Sequence, residues 1–271
     1  MANEKSEITN GKSVFLFPFS PSSPFPPLPL YPYGLPLPLP RYPLPLRPVS
    51  STIQQDFDRL ALVSEDGASH NDHYHNYLLR HLPARCENAL EIGCGTGTFA
   101  RLLAARSERV LALDLSPEMI RIARERSLQF SNIDFQCGDI LDTPLPAESF
   151  DCIVSIATLH HLPLREVLLK LKAALKPNGV LLILDLFEPA GLSDFLLNFL
   201  ALPVSVGLRF KNYGRLRRSP EVRAAWAAHE AHDLYPTMRD VHTLCAELLP
   251  SAKIKKHLLW RYSIMWEKSQ A

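Results

Sequence analysis

The stretch Glu91-Ile92-Gly93-Cys94-Gly95-Thr96-Gly97 sets one carboxylate and three glycines directly before a helical pattern. Glycines at this spacing permit positive φ and let a ligand press onto the main chain, while the helix start beyond them offers unpaired N–H groups. Dinucleotide sites use G-x-G-x-x-G, where those donors meet a pyrophosphate. Here the third glycine of that pattern is replaced by Thr98, and Glu91 would repel a diphosphate. A ligand with a positive centre tolerates the acid.

A second reactive group follows an apolar run further on. Histidine titrates near neutrality and can take a proton from a hydroxyl or an ammonium group. His160 is therefore the candidate general base, with His161 next to it, and Asp185 and Glu188 are placed to face the same acceptor. A cap on the helix starting near Leu164 is the alternative role for either histidine. His73-x-His75 offers two metal-capable nitrogens without a third ligand, so no metal site is read there. His229, His232 and Asp233 read as the polar face of a helix.

These residues need a scaffold, and the chain supplies a periodic one. Apolar runs at Ala89–Ile92, Val110–Leu115, Ile133–Cys137, Cys152–Ala157 and Val180–Leu186 alternate with amphipathic helical stretches. That alternation predicts an α/β fold, a doubly wound and mainly parallel sheet with helices on both faces. Ser116-Pro117-Glu118 opens one helix with a cap, a first-turn proline and an acid. The helix before Val180 is expected to stop at Pro177, with Gly179 making the turn. In such sheets ligands bind beyond the carboxyl ends of the strands, which is where the glycine loop and the His160-His161 pair fall.

The bulk properties fit a single large domain. The 271 residues are 46% hydrophobic with a formal charge of +1, so no whole-molecule field demands nucleic acid or an anionic membrane. Five unpaired-looking cysteines and no C-x-x-C spacing point to a reducing cytoplasm. Thirteen of the 24 prolines lie between Pro18 and Pro48, which predicts an extended, disordered arm over residues 1–52. The arm is either a tail or a ligand for a proline-binding groove. The structured domain is expected to span residues 53–271.

Taken together, the motifs resemble those of the class I S-adenosylmethionine-dependent methyltransferases, in the branch that modifies small molecules. The glycine loop resembles the first motif of that family, so Glu91, Gly93, Gly95 and Gly97 are expected at the cofactor. The resemblance implies that Asp114, with Leu115, holds the ribose hydroxyls and that Asp139, with Ile140, flanks the adenine. It places Ser155 beside the methionine end and folds Tyr74 over it. It also implies a Rossmann-like sheet of seven strands, the last one antiparallel, with Lys253–Leu259 and Arg261–Glu267 as the final pair.

The implied reaction is in-line displacement of a methyl group from a sulfonium. Alignment of acceptor and methyl contributes about 7–11 kcal/mol, against about 10²–10⁴ in rate from a general base. The acceptor is expected to be a small organic molecule, and an apolar, lid-like insert over about 189–250 fits a hydrophobic one. Residues 195–218 also suit peripheral membrane contact, and Arg209, Lys211, Arg215, Arg217 and Arg218 suit either a solvated loop or phosphate contacts. The N-P-P-Y motif of enzymes acting on bases is absent after the fourth strand, which disfavours nucleic acid. A non-catalytic domain that binds the same cofactor is the alternative from another class.

Overall fold

The computed structural model of the protein describes residues 50–63, 71–190, 194, 201, 203–207, 210, 219–231 and 233–270. The proline-rich stretch before Ser50, His70, His232 and the basic residues Arg209, Lys211, Arg215, Arg217 and Arg218 lie outside them.

Helix α1 (Ser50–Val63) is followed by a 3-10 turn at Asp72–Tyr74 and by α2 (His75–Arg80). Then come β1 (Cys86–Ile92), α3 (Thr98–Ala104), β2 (Ser107–Asp114), α4 (Pro117–Glu125), β3 (Ile133–Cys137) and β4 (Phe150–Ile156). A second 3-10 turn, Leu159–His161, leads to α5 (Leu164–Ala174) and β5 (Leu175–Leu186). The chain closes with α6 (Pro220–Glu230), α7 (Met238–Leu248), β6 (Lys253–His257) and β7 (Arg261–Glu267).

The seven strands lie in the order β3-β2-β1-β4-β5-β7-β6. β1 to β5 pair in parallel, whereas β7 runs antiparallel to both of its neighbours. The expected seven-stranded, mainly parallel sheet with its last strand reversed is what the chain forms. Successive side chains of a strand alternate between faces. Leu181 and Ile183 of β5 accordingly join one buried cluster with α5 and α7, while Leu182 and Leu184 join the other, with α2, α3 and α4. Burying each such side chain contributes about 1.5–3 kcal/mol, so β5 is anchored from both sides.

Several boundaries differ from the expected ones. β1, β2 and β4 start two or three residues earlier than their apolar runs, because main-chain pairing such as Asn88 with Arg109 tolerates polar side chains. α5 ends at Ala174, before Pro177, since Leu175 is already extended and pairs with Phe150. The left-handed turn falls on Asn178, with φ of 61°, and not on Gly179. Gly179 is needed for space: a Cβ there would stand 2.8 Å from Leu175 and from the Lys176 carbonyl. α1 begins at Ser50, three residues ahead of the expected domain start at Ile53.

The insert is also shorter than about 189–250. α7 is a core helix: Met238, Val241, Cys245 and Leu248 share one face and are buried in the cluster that holds Leu168 and Leu171 of α5. The chain that leaves β5 is tied back where Glu188 N–H donates to the Pro236 carbonyl at 3.0 Å and Glu188 bridges Thr237. Glu188 and Thr237 thus lie side by side just beyond β5. No helix among the described residues is long and apolar enough to cross a membrane.

Thr237 and Asp240 cap α7 reciprocally, each side chain bonding the other's main-chain N–H. Thr237→Ala is expected to cost about 0.5–2 kcal/mol in denaturant unfolding, through loss of the cap that seats α7.

Candidate active site

Gly93, Gly95 and Gly97 all have positive φ, at 71°, 51° and 75°. Their reasons differ. A Cβ at Gly93 would collide with Thr158, and one at Gly97 would meet the Phe135 ring at 2.9 Å, so these two are demanded by the protein's own packing. At Gly95 nothing lies within 4 Å. The bare main chain there faces open space, as a ligand-binding loop requires.

Asp114, at the carboxyl end of β2, holds this loop in place. Its Oδ2 accepts from Gly95 N–H at 2.7 Å and its Oδ1 from Ser116 N–H at 2.9 Å. Ser116 in turn caps α4 by accepting from Met119 N–H, and its hydroxyl meets Asp58 of α1 at 2.5 Å. Burial raises the Asp114 carboxyl, the two N–H donors oppose that rise, and the Asp58 charge adds to it. Each Asp114 oxygen keeps a lone pair beyond its main-chain partner.

Glu91 is 2% exposed, and its Oε2 has no partner. Burial pushes its carboxyl well above the usual range; the Asp114 charge adds to this and Arg101 opposes it. A buried polar atom without a partner costs on the order of 1–3 kcal/mol, more for a charge. The glycine loop is therefore flanked by two acids, one of them uncompensated.

The remaining candidates divide. Asp139 is half-buried and turns its loop by accepting from Leu141 N–H at 2.9 Å, with Ile140 buried behind it. The Leu115 carbonyl accepts from the Cys137 thiol at 3.6 Å, joining the ends of β2 and β3. Ser155 and Tyr74 differ from expectation: Ser155 spends its hydroxyl on the Ile92 carbonyl and Tyr74 on the Leu258 carbonyl. The first stitches β4 to β1, and the second pins the N-terminal segment to the β6–β7 turn. The backbone after β4 is unusual, with Ala157 at φ of 51°, left-handed for a residue that rarely adopts it.

That bend delivers His160 to Asp185. His160 Nδ1 lies 2.6 Å from Asp185 Oδ1, and its N–H donates to Oδ2 at 3.0 Å. Asp185 is fully buried, so it acts on the site through His160. Glu188 is exposed, and its main chain pairs with Pro236 and Thr237.

His161 sits apart from solvent, with Nδ1 3.4 Å from Asp233 Oδ1 and Nε2 without a partner. Burial first, then His160 and His229, depress its pKa to about 2, leaving the imidazole neutral. His229 and Asp233 are not the solvated helix face expected of them. Both are buried, His229 between Asp56 and Asp233 and against the Phe57 ring of α1, because α6 packs on α1. Tyr235, which sequence reasoning missed, donates to Asp233 Oδ2 at 2.7 Å and lies with its ring 5.1 Å from His160. Asp58, Phe57 and the buried Arg261, whose Nε donates to Asn71, were missed as well, since no local pattern marks them.

The family model of a methyltransferase domain matches residues 90–183, from β1 to β5. An uncharacterised methyltransferase of Mycobacterium tuberculosis is 29% identical over 199 residues, which is 72% of this chain and 94% of the relative. The malonyl-[acyl-carrier protein] O-methyltransferase of Serratia marcescens is 38% identical over 97 residues, 35% of this chain and 37% of that enzyme. In fold, the chain matches the N-methyltransferase NodS of Bradyrhizobium japonicum, solved with S-adenosyl-L-homocysteine, with a TM-score of 0.57 at 19% identity, over 80% of this chain and 99% of that one. The matched span from β1 to β5, the relatives and the fold support a class I S-adenosylmethionine-dependent methyltransferase. The site fits that cofactor: an open glycine main chain at Gly95 and an uncompensated acid at Glu91 suit a nucleoside carrying ammonium and sulfonium charge.

Two outcomes test this site. Asp114→Ala is expected to weaken S-adenosylhomocysteine binding at least tenfold by calorimetry, about 1.4 kcal/mol, and unchanged affinity would remove Asp114 from the site. Because the folded Glu91 carboxyl is raised, its contribution to the free protein's stability is complete below the ordinary glutamate range and is lost as pH rises toward the elevated value. Glu91→Gln removes that loss, so the free variant should melt higher than wild type at neutral pH while binding the cofactor less tightly.

Proposed function

We propose that this methyltransferase transfers the methyl group of S-adenosylmethionine to a small organic acceptor, hydrophobic in part, by in-line displacement. The observation that carries the reading is the buried Glu91 carboxylate without a partner, beside a glycine main chain open to a ligand. When bound, the cofactor supplies a methyl group activated on a sulfonium, which departs as a neutral thioether.

The chain's own part is to hold and to orient. Gly93, Gly95 and Gly97 shape the loop, Glu91 offsets positive charge, and Asp114 offers its free lone pairs to the ribose. Asp139 and Ile140, with Leu115, frame the adenine side at the ends of β2 and β3. Tyr74 and Ser155 hold neighbouring segments in register and are not assigned a direct contact. On the acceptor side, Asp185 fixes the His160 ring through Nδ1 and turns the Nε2 lone pair toward the acceptor's reacting group. His161 lies against the same wall, with Phe57 edge-on to it. Glu188 has no place in this arrangement.

A small acceptor is supported by three features. Glu188 is tied to Pro236 and Thr237 at the carboxyl end of the sheet, the site walls carry Phe57 and Tyr235, and the Serratia marcescens relative is named for O-methylation of malonyl-[acyl-carrier protein]. All five cysteines are free, including Cys86 and Cys152 with sulfurs 3.4 Å apart, which suits a reducing compartment such as the cytoplasm.

The test is transfer of labelled methyl from S-adenosylmethionine into fractionated extracts of the native cell. A labelled small molecule that wild-type protein makes is the expected result, whereas tight cofactor binding with no labelled product in any fraction would overturn the reading. On the acceptor so found, His160→Ala is expected to lower kcat by about 10²–10⁴, with cofactor affinity within about threefold of wild type.

A further inference from the structure

The acceptor wall contains more ligand chemistry than a single histidine needs. His160, His161 and Asp233 each offer one donor atom, and the three atoms lie within 4.8 Å of one another. They arrive from two separate places, the 3-10 turn after β4 and the segment after α6. His161 Nδ1 and Asp233 Oδ1 stand 3.4 Å apart, the spacing of neighbouring ligands around an ion with bonds of about 2.0–2.2 Å.

We propose that His160, His161 and Asp233 hold one divalent first-row transition-metal ion on the acceptor side of the methyl-transfer site. The inference rests on the acceptor side proposed above and deepens it. Two imidazoles and one carboxylate form a donor set suited to iron, cobalt or zinc, and it leaves positions open to a further oxygen ligand. The outer partners are those that metal ligands commonly have. Asp185 engages His160 Nδ1 and so leaves Nε2 for the ion, in which case the ion and not the imidazole keeps the acceptor ionised, while the Tyr235 hydroxyl donates to Asp233 Oδ2. His229 Nε2 lies 3.7 Å from the same carboxylate.

One atom is otherwise unaccounted for. His161 Nε2 is buried and bonded to nothing, although nearly all buried polar atoms find a partner. The contact of His161 Nδ1 with Asp233 Oδ1, at 3.4 Å, is also longer than a normal hydrogen bond, so neither ring nitrogen of His161 is firmly engaged by the protein. The open positions point to an acceptor class that carries a hydroxyl or carboxylate, whose oxygen the ion would bind and keep ionised.

The full chain, freed of metal by a chelator, is titrated with Co2+ and read by visible d–d absorption. The expected result is a band that saturates near one equivalent. His161→Gln and Asp233→Asn are expected to weaken cobalt binding at least tenfold while S-adenosylhomocysteine binding, measured on the same samples, persists. No band in wild type, or equal cobalt affinity in both variants, would overturn the site. Where a variant fails to fold, X-ray absorption of the wild-type cobalt complex decides: imidazole scattering supports the assignment and an all-oxygen shell defeats it. Cofactor binding without cobalt binding would sink only the ion; loss of cofactor binding in metal-free wild type would sink the methyltransferase reading beneath it.

Discussion

The site depends on one carboxylate turned back on its own main chain. Asp114 ends β2 and takes N–H groups from Gly95 and from Ser116, so the cofactor loop and the start of α4 are set by the same side chain. Hydrogen bonds to a charged acceptor contribute about 1.5–3 kcal/mol each, which offsets part of the burial of an acid that is only 9% exposed. Through Ser116 the arrangement extends to Asp58, and so to α1. An N-terminal helix far from the loop in sequence thereby becomes part of its support.

Beside that satisfied acid stands an unsatisfied one. Glu91 gains nothing for the free protein: its Oε2 is buried without a partner, and the Asp114 charge acts against it more than Arg101 acts for it. A protein selected for stability alone would hold an apolar side chain there, as its strand neighbours Leu90 and Ile92 do. Retention of the acid makes sense where a cationic ligand supplies the missing charge, and the stability lost in the free state becomes affinity in the bound one. The three glycines divide in the same way, with Gly93 and Gly97 serving the protein's packing and Gly95 serving the ligand.

The acceptor side is built on a different principle. Its polar groups come from α1, from the turn after β4 and from the segment after α6, brought together because α6 packs on α1 and because Glu188 is tied to Pro236 and Thr237. Phe57 lies edge-on to both His161 and His229, so the histidines are walled by an aromatic ring as well as by each other. The left-handed Ala157 is the local cost of aiming His160 at Asp185.

What the sequence by itself determined was the sheet and the cofactor loop. Strands and glycine turns are local: apolar runs of β-branched and leucine residues specify β1 to β5, and three glycines around Cys94 and Thr96 specify a bend, whatever lies elsewhere in the chain. Even there the limits are physical, since the left-handed residue in the first part of β5 is Asn178, while the adjacent Gly179 is required for space against Leu175. Only the tertiary structure decided which polar residues share a cavity. His229 and Asp233 carry the pattern of a solvated helix face, and nothing near them reveals that α1 buries that face; the two helices are far apart in the chain, and contact between them follows from packing over the whole sheet. Ser155 and Tyr74 show the converse, because a hydroxyl at the right position along the chain is spent on a carbonyl that only the folded neighbour supplies.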